Sequence, residues 1–134
     1  MKIFIRYCIA VFVLMIGTSF QKKETLKGTW QFCGGFFNGK PNAAPKDYIL
    51  QRKYTNENYE ASLLENGHKP YKYEAGNYKL IADTCLETQT FSAQPSQLMG
   101  ITLHYAYIIR HDTLVLKGKL PSGFVEEDYW KKVK

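Results

Sequence analysis

Three charged residues share strand faces with apolar, aromatic and a few polar residues. Arg52 alternates with Tyr48, Leu50 and Tyr54, Glu87 with Cys85, Gln89 and Phe91, and Asp128 with Glu126 and Trp130. Alternate residues of a strand share one face, so an all-β fold that turns these faces inward carries the charges in with them. An inward Arg52 could hold a ligand carboxylate, or pair with an acid such as Glu87 or Asp128; turned outward it is a surface cation. Glu87 could form a polar floor beneath a ligand. Glu87 facing Asp128 across an interior is the one enzyme-like carboxylate arrangement available. No serine stands in a Gly-x-Ser-x-Gly turn. No phosphate-binding glycine loop, zinc spacing or calcium loop is present in the sequence. His68, His104 and His111 show no ligand spacing with Cys33 or Cys85. The expectation is a protein that is not an enzyme and carries no cofactor and no metal.

The elements that would position these residues are short alternating stretches between turn residues, the pattern of an all-β chain. Strands are predicted over Gly28 to Phe36, Asp47 to Tyr54, Tyr59 to Leu64, Tyr71 (or Pro70) to Ile81, Thr84 to Phe91, Ile101 to Arg110, Thr113 to Leu120 and Phe124 to Val133. Asn66-Gly67, His111-Asp112 and Pro121-Ser122-Gly123 mark tight turns. Ser92 to Gly100 reads as a longer loop with room for a short helical turn. Ile101, Leu103, Tyr105, Tyr107 and Ile109 share the better interior face of their strand, and Leu114 and Leu116 that of the next. Tyrosine offers apolar area with one hydroxyl, which suits a pocket of mixed polarity and equally suits plain core packing. Candidate lining residues are Tyr48, Arg52, Tyr73, Glu87, Tyr105, Tyr107 and Asp128.

Short sequential turns favour an up-and-down meander over a sandwich. Such a sheet exposes edges unless it closes, and eight strands suffice to close around a small interior. The fold class predicted is therefore all-β, an eight-stranded antiparallel up-and-down barrel. Disorder is excluded by a hydrophobic fraction of 45% against 22% charged. The net charge of +6 is scattered, apart from Lys131, Lys132 and Lys134. It forms no basic stripe of the kind nucleic-acid binders present, so no nucleic-acid partner is expected.

Residues 1–19 read as a signal peptide and 20–134 as the barrel domain. Lys2 and Arg6 supply a positive start, Tyr7 to Ile16 an uncharged apolar run, and Gly17 and Ser19 small residues for cleavage after Ser19. The run is too short for a comfortable membrane span. Cys8 lies inside it rather than after it, so the chain does not read as a lipoprotein. Periplasmic or secreted localisation follows. There Cys33 and Cys85 could form a disulfide or remain free.

Leu26-Lys27-Gly28-Thr29-Trp30 resembles the Gly-x-Trp opening of lipocalins. Together with Gly76 to Thr88, His111 to Gly118 and Glu126 to Val133, it makes the chain similar to bacterial lipocalin-like secreted proteins. That resemblance spans residues 26–133 and implies a lipocalin-like barrel. Trp30 would plug one end against a basic residue of the last strand, near Trp130. The family usually places Arg where this chain has Lys131 or Lys132, and Lys supplies charge without planar stacking. The resemblance names no ligand. Two functions fit: a carrier of a small, partly hydrophobic molecule, or a filled barrel that docks another cell-envelope protein through Phe36 and Phe37.

Overall fold

The structure, a computed structural model, describes residues 25–134; the expected signal peptide and its cleavage point lie outside the described residues. Nine strands follow in chain order: β1 (Gly28–Phe37), β2 (Lys40–Asn42), β3 (Ile49–Tyr54), β4 (Asn58–Leu64), β5 (Tyr71–Ile81), β6 (Thr84–Ser92), β7 (Thr102–Arg110), β8 (Thr113–Lys119) and β9 (Val125–Lys132). From β3 to β9 each strand pairs antiparallel with the next, and β1 bridges β3 and β9. The result is a closed eight-stranded up-and-down barrel, lipocalin-like in architecture, with β2 as an appendage. No helix among the described residues is long and apolar enough to cross a membrane.

The short β2 was hidden in the sequence because Gly39, Pro41 and Asn42 read as loop. It pairs only with Gly35, Phe36 and Phe37 of β1, and a proline is tolerated in such an edge position. β1 pairs with β3 only through Gly28–Gln31 and with β2 only from Gly35 onward. The wall therefore parts beside residues 32–34. Asp47 and Tyr48, expected inside a strand, form a bend before β3. The loop after β6 contains no helical turn; instead Met99 bridges to Gln89 in parallel.

Three bulges interrupt the pairing. Cys33 is skipped between the Phe32–Trp130 and Gly34–Tyr129 pairs, Tyr73 between Ala61–Glu74 and Ser62–Lys72, and Thr90 between Ala75–Phe91 and Gly76–Gln89. A bulge adds one residue to one strand and so reverses which parity faces inward beyond it. The inward set read from alternation survives on uninterrupted strands. Leu114 and Leu116 are buried, as are Tyr105 and Tyr107, while Ile101 and Ile109 at the margins of β7 are exposed.

One end of the barrel is filled. Leu26, Trp30, Tyr54, Tyr59, Tyr78, Tyr107 and Leu114 are all buried there. Their polar atoms find partners, as buried polar groups must. Trp30 Nε1 donates to the Leu26 carbonyl at 2.8 Å, Leu26 N–H to the Tyr78 hydroxyl at 3.2 Å, and Tyr78 in turn to the Thr55 carbonyl at 2.6 Å. Tyr54 and Tyr78 meet edge to face with centroids 5.0 Å apart. The tryptophans lie on the same closing seam. Trp30 pairs with Lys132, and Trp130 with Phe32 at 5.3 Å between rings. Lys132 Nζ lies 5.3 Å from the Trp30 ring centroid, so lysine supplies the cation over the plug. Gly28 makes room for it. Its φ is +137°, and a Cβ there would stand 3.1 Å from Lys132 Cε.

Candidate functional site

The other half of the interior is polar. Arg52 projects from β3 among residues of β5 and β6. Its Nη1 donates to both Glu87 oxygens at 2.7 and 3.0 Å and to the Tyr54 hydroxyl at 2.9 Å. Its Nη2 reaches Glu74 Oε2 at 3.4 Å. The guanidinium also stacks between rings, 4.9 Å from Tyr59 and 5.1 Å from Trp130. Burial works against the Arg52 charge, but Glu87, Tyr54 and Glu74 outweigh it and hold the group well above its ordinary pKa. The inward acid therefore has Arg52, not a ligand carboxylate.

Glu87 is buried and accepts from Arg52, from Tyr54 at 3.0 Å and, weakly, from Cys85 Sγ at 3.8 Å. Glu74 accepts from Gln89 Nε2 at 2.7 Å, and Gln89 Oε1 accepts from Ser96 Oγ at 2.5 Å. This last contact ties the loop after β6 to the barrel floor and places Leu98 over the interior. Burial pushes the Tyr54 phenol and the Cys85 thiol up. Both stay neutral donors to the carboxylate.

On β9, Glu126 and Asp128 face the same interior. Tyr105 donates to Glu126 Oε2 at a long 3.5 Å. Asp128 is pushed up to about 8, first by burial and then by its hydrogen bond to Glu126 and the charge there. Asp128 thus keeps its proton near neutral pH. Glu87 and Asp128 both face the interior, with Arg52 paired to Glu87 and Glu126 the acid neighbouring Asp128.

Two connected hollows remain among these groups. One of about 210 Å³ is walled by Phe32, Leu50 and Trp130 on its apolar side and by Arg52, Tyr73, Glu74, Glu126 and Asp128 on its polar side, with Asn42 of β2 at its margin. It lies where β1 parts from β3. The second, of about 100 Å³, sits deeper and is more enclosed, between Arg52, Glu74, Glu87, Gln89, Tyr105 and Glu126, with Leu98 and Leu103 over it. Arg52, Glu74 and Glu126 border both. Two buried donors face no partner among the described residues: Arg52 Nε and Trp130 Nε1.

Of the candidate lining residues, Arg52, Tyr73, Glu87, Tyr105 and Asp128 come together around these hollows. Tyr48 is half-buried in the bend before β3; burial is the main cause that pushes the Tyr73 phenol up, with Tyr48 a minor contributor, and Tyr48 walls neither hollow. Tyr107 belongs to the filled end, donating to the Ala82 carbonyl at 3.1 Å. Trp30 and Lys132 serve closure, while Trp130 serves closure and the site alike. The disulfide left open by the sequence is absent. Cys33 is exposed on its bulge, with Sγ 3.2 Å from the Tyr129 carbonyl, whereas Cys85 is buried inside the barrel, and both thiols are free. Glu74 went unseen in the sequence because the Tyr73 bulge brings both residues to the interior. No family model matches the chain, and no curated protein matches it.

Proposed function

We propose that this is an exported lipocalin-like carrier that takes a small, partly hydrophobic molecule into the open half of its barrel. The hollow of about 210 Å³ carries the reading, because it sets apolar Phe32, Leu50 and Trp130 opposite convergent polar groups. Small-molecule sites combine an apolar wall with placed polar atoms, and this one has both, with the polar share the larger. Its volume lies below the roughly 300–1,000 Å³ of drug-sized sites, so the ligand is compact. Export is supported by Lys2, Arg6, the apolar run and the small residues before Phe20. N-terminal sequencing of the mature protein should begin at Phe20.

The binding test is a titration of small, partly apolar metabolites, followed by tryptophan fluorescence and thermal shift. Trp130 walls the hollow while Trp30 is sealed at the far end, so a Trp30→Phe variant isolates the reporting ring. A ligand at a hundred times its Kd adds about 2.7 kcal/mol, which at about 4–8 °C per kcal/mol moves the midpoint by roughly 10–20 °C in a domain near this size. The absence of both saturable quenching and a midpoint shift with every compound would count against a carrier.

The docking reading draws on a different observation. Phe36, Phe37, Tyr71, Phe91, Met99 and Phe124 are exposed large side chains around the open end. Phe36 and Phe37 are not bare, however; they pack edge-on against Tyr129 and Phe124. Retention of a specific envelope protein by the wild type and its loss with Phe37→Ala would support docking.

A further inference from the structure

The hollow is acidic in a chain that is basic overall. Four carboxyl groups, Glu74, Glu87, Glu126 and Asp128, border the two compartments, and Arg52 is the one cation among them. Arg52 is committed to Glu87 and Glu74. Among the described residues no lysine or arginine lies within ion-pair distance of Glu126 or Asp128. A negative charge withdrawn from water without a counter-charge is costly. The pair copes by keeping a proton, and a bound cation would serve in its place.

A second observation points the same way from the opposite wall. Trp130 is 4% exposed, and its Nε1 has no partner among the described residues. Arg52 Nε is orphaned beside it. Both residues wall the hollow of about 210 Å³. Buried donors left unpaired cost about 1–3 kcal/mol each, and an oxygen acceptor placed in the hollow would relieve them. A ligand with a donor cation at one point and a neutral oxygen at another satisfies both walls.

Resting on the carrier reading, we propose that the ligand is a compact organic ammonium bearing a hydroxyl, ether or carbonyl oxygen, with its nitrogen on Glu126 and Asp128. Phe32, Leu50 and Trp130 cover its carbon skeleton. A metal ion does not suit the place. No cluster of three or more metal-ligating side chains occurs among the described residues, and the pair offers two carboxyls that still hold a proton. A carboxylate ligand would meet uncompensated acids and find the guanidinium already occupied.

The proton gives the proposal a sign. An ammonium seated on the pair displaces the Asp128 proton, so binding releases a proton and tightens as pH rises toward about 8. The limiting slope is about tenfold per pH unit, and the amine itself stays charged over this range. An anion would show proton uptake and the opposite slope. The groups facing Asp128 across the interior are Glu126 on its own strand, Arg52 of β3, Tyr73 and Glu74 of β5, Glu87 of β6 and Tyr105 of β7; β1 and β8 present Gly35 and Leu116 beside it.

The test uses three probes on one frame: 2-amino-1-phenylethanol, 1-phenyl-1,2-ethanediol and mandelate. Calorimetry on the mature protein in buffers of differing ionisation heat reads affinity and proton count together. The aminoalcohol should bind at least about tenfold tighter than the diol, with mandelate weakest, and should release protons at pH 7. Asp128→Asn should bind it with a flat pH profile. The double variant Glu126→Gln, Asp128→Asn should lose the preference for the amine while remaining folded, since it removes buried charge. Binding of the diol or mandelate in preference to the amine would overturn the ammonium while leaving the carrier intact. Calcium that displaces the amine would overturn it as well. If none of the three binds at millimolar concentration, both the ammonium and the carrier fall.

Discussion

Asp128 differs from the other interior acids in what neutralises it. Glu87 is held by Arg52, Tyr54 and Cys85, whereas Asp128, buried beside Glu126, keeps its own proton. An unfolded aspartate titrates near 4, and in the folded barrel the value is about 8. The native state therefore binds more protons than the unfolded chain between those values. Its stability from this group is fully present below about pH 4 and is lost as pH rises toward about 8. Asp128→Asn keeps a hydrogen-bond donor toward Glu126 and removes the ionisation. At pH 7 the variant should be more stable than the wild type by about 1–3 kcal/mol, and the gap should close by about pH 4. Urea denaturation at several pH values measures both curves. A gap that is constant across pH, or that widens toward acid, would refute the retained proton. Part of this residue-level picture is legible in the sequence, because alternation with Trp130 carries Asp128 and Glu126 inward. The missing cation is not, because it depends on which acids Arg52 reaches across the barrel.

At the scale of strands, the bulges decide which side chains the site receives. β5 offers Tyr73 and Glu74 to the interior together, which a strictly alternating strand cannot do. Beyond them comes Gly76, squeezed between the Thr88 backbone of β6 and the Tyr59 ring of β4. A Cβ at this position would collide with the Thr88 carbonyl oxygen and press on Tyr59. Overpacking of this kind costs about 1–3 kcal/mol. Gly76→Ala should therefore lower the unfolding free energy in urea by that amount. It should also disturb Arg52, because the displaced Tyr59 ring is one face of its stack. A Gly76→Ala protein as stable as the wild type would mean that β5 and β6 separate freely there. Alternation fails at these same places. Strict alternation puts Tyr71 and Tyr73 on one face of β5, yet Tyr71 is exposed and Tyr73 lines the hollow. The strands and their order follow from short-range alternation and turn residues. Bulges arise from long-range pairing, and nothing local announces them. The His111-Asp112 turn was legible for the converse reason: both residues adopt positive φ, which a two-residue hairpin demands locally.

Over the whole molecule, the filled core and the polar hollow lie at opposite ends of one barrel. The filled end stacks Leu26, Trp30, Tyr78 and Leu114 with their polar atoms satisfied, and the open end holds unpaired donors and crowded acids. Site chemistry of this sort is destabilising, and the apolar plug offsets it elsewhere in the same closed sheet. Position along the barrel axis explains why Tyr107, inward like Tyr105, joins the plug rather than the site. Alternation fixes the face of a residue, whereas its depth follows from stagger between strands. The two ends should then respond separately to mutation. Leu26 is fully buried and lies before β1, at the filled end. Leu26→Ala should cost about 2–5 kcal/mol in urea unfolding, yet leave affinity for 2-amino-1-phenylethanol within about twofold at a temperature where the variant stays folded. The Glu126→Gln, Asp128→Asn protein should do the reverse, losing affinity without losing stability. If Leu26→Ala weakens binding as strongly as the double variant, the plug also shapes the pocket, and the barrel acts as one cooperative unit instead of two halves.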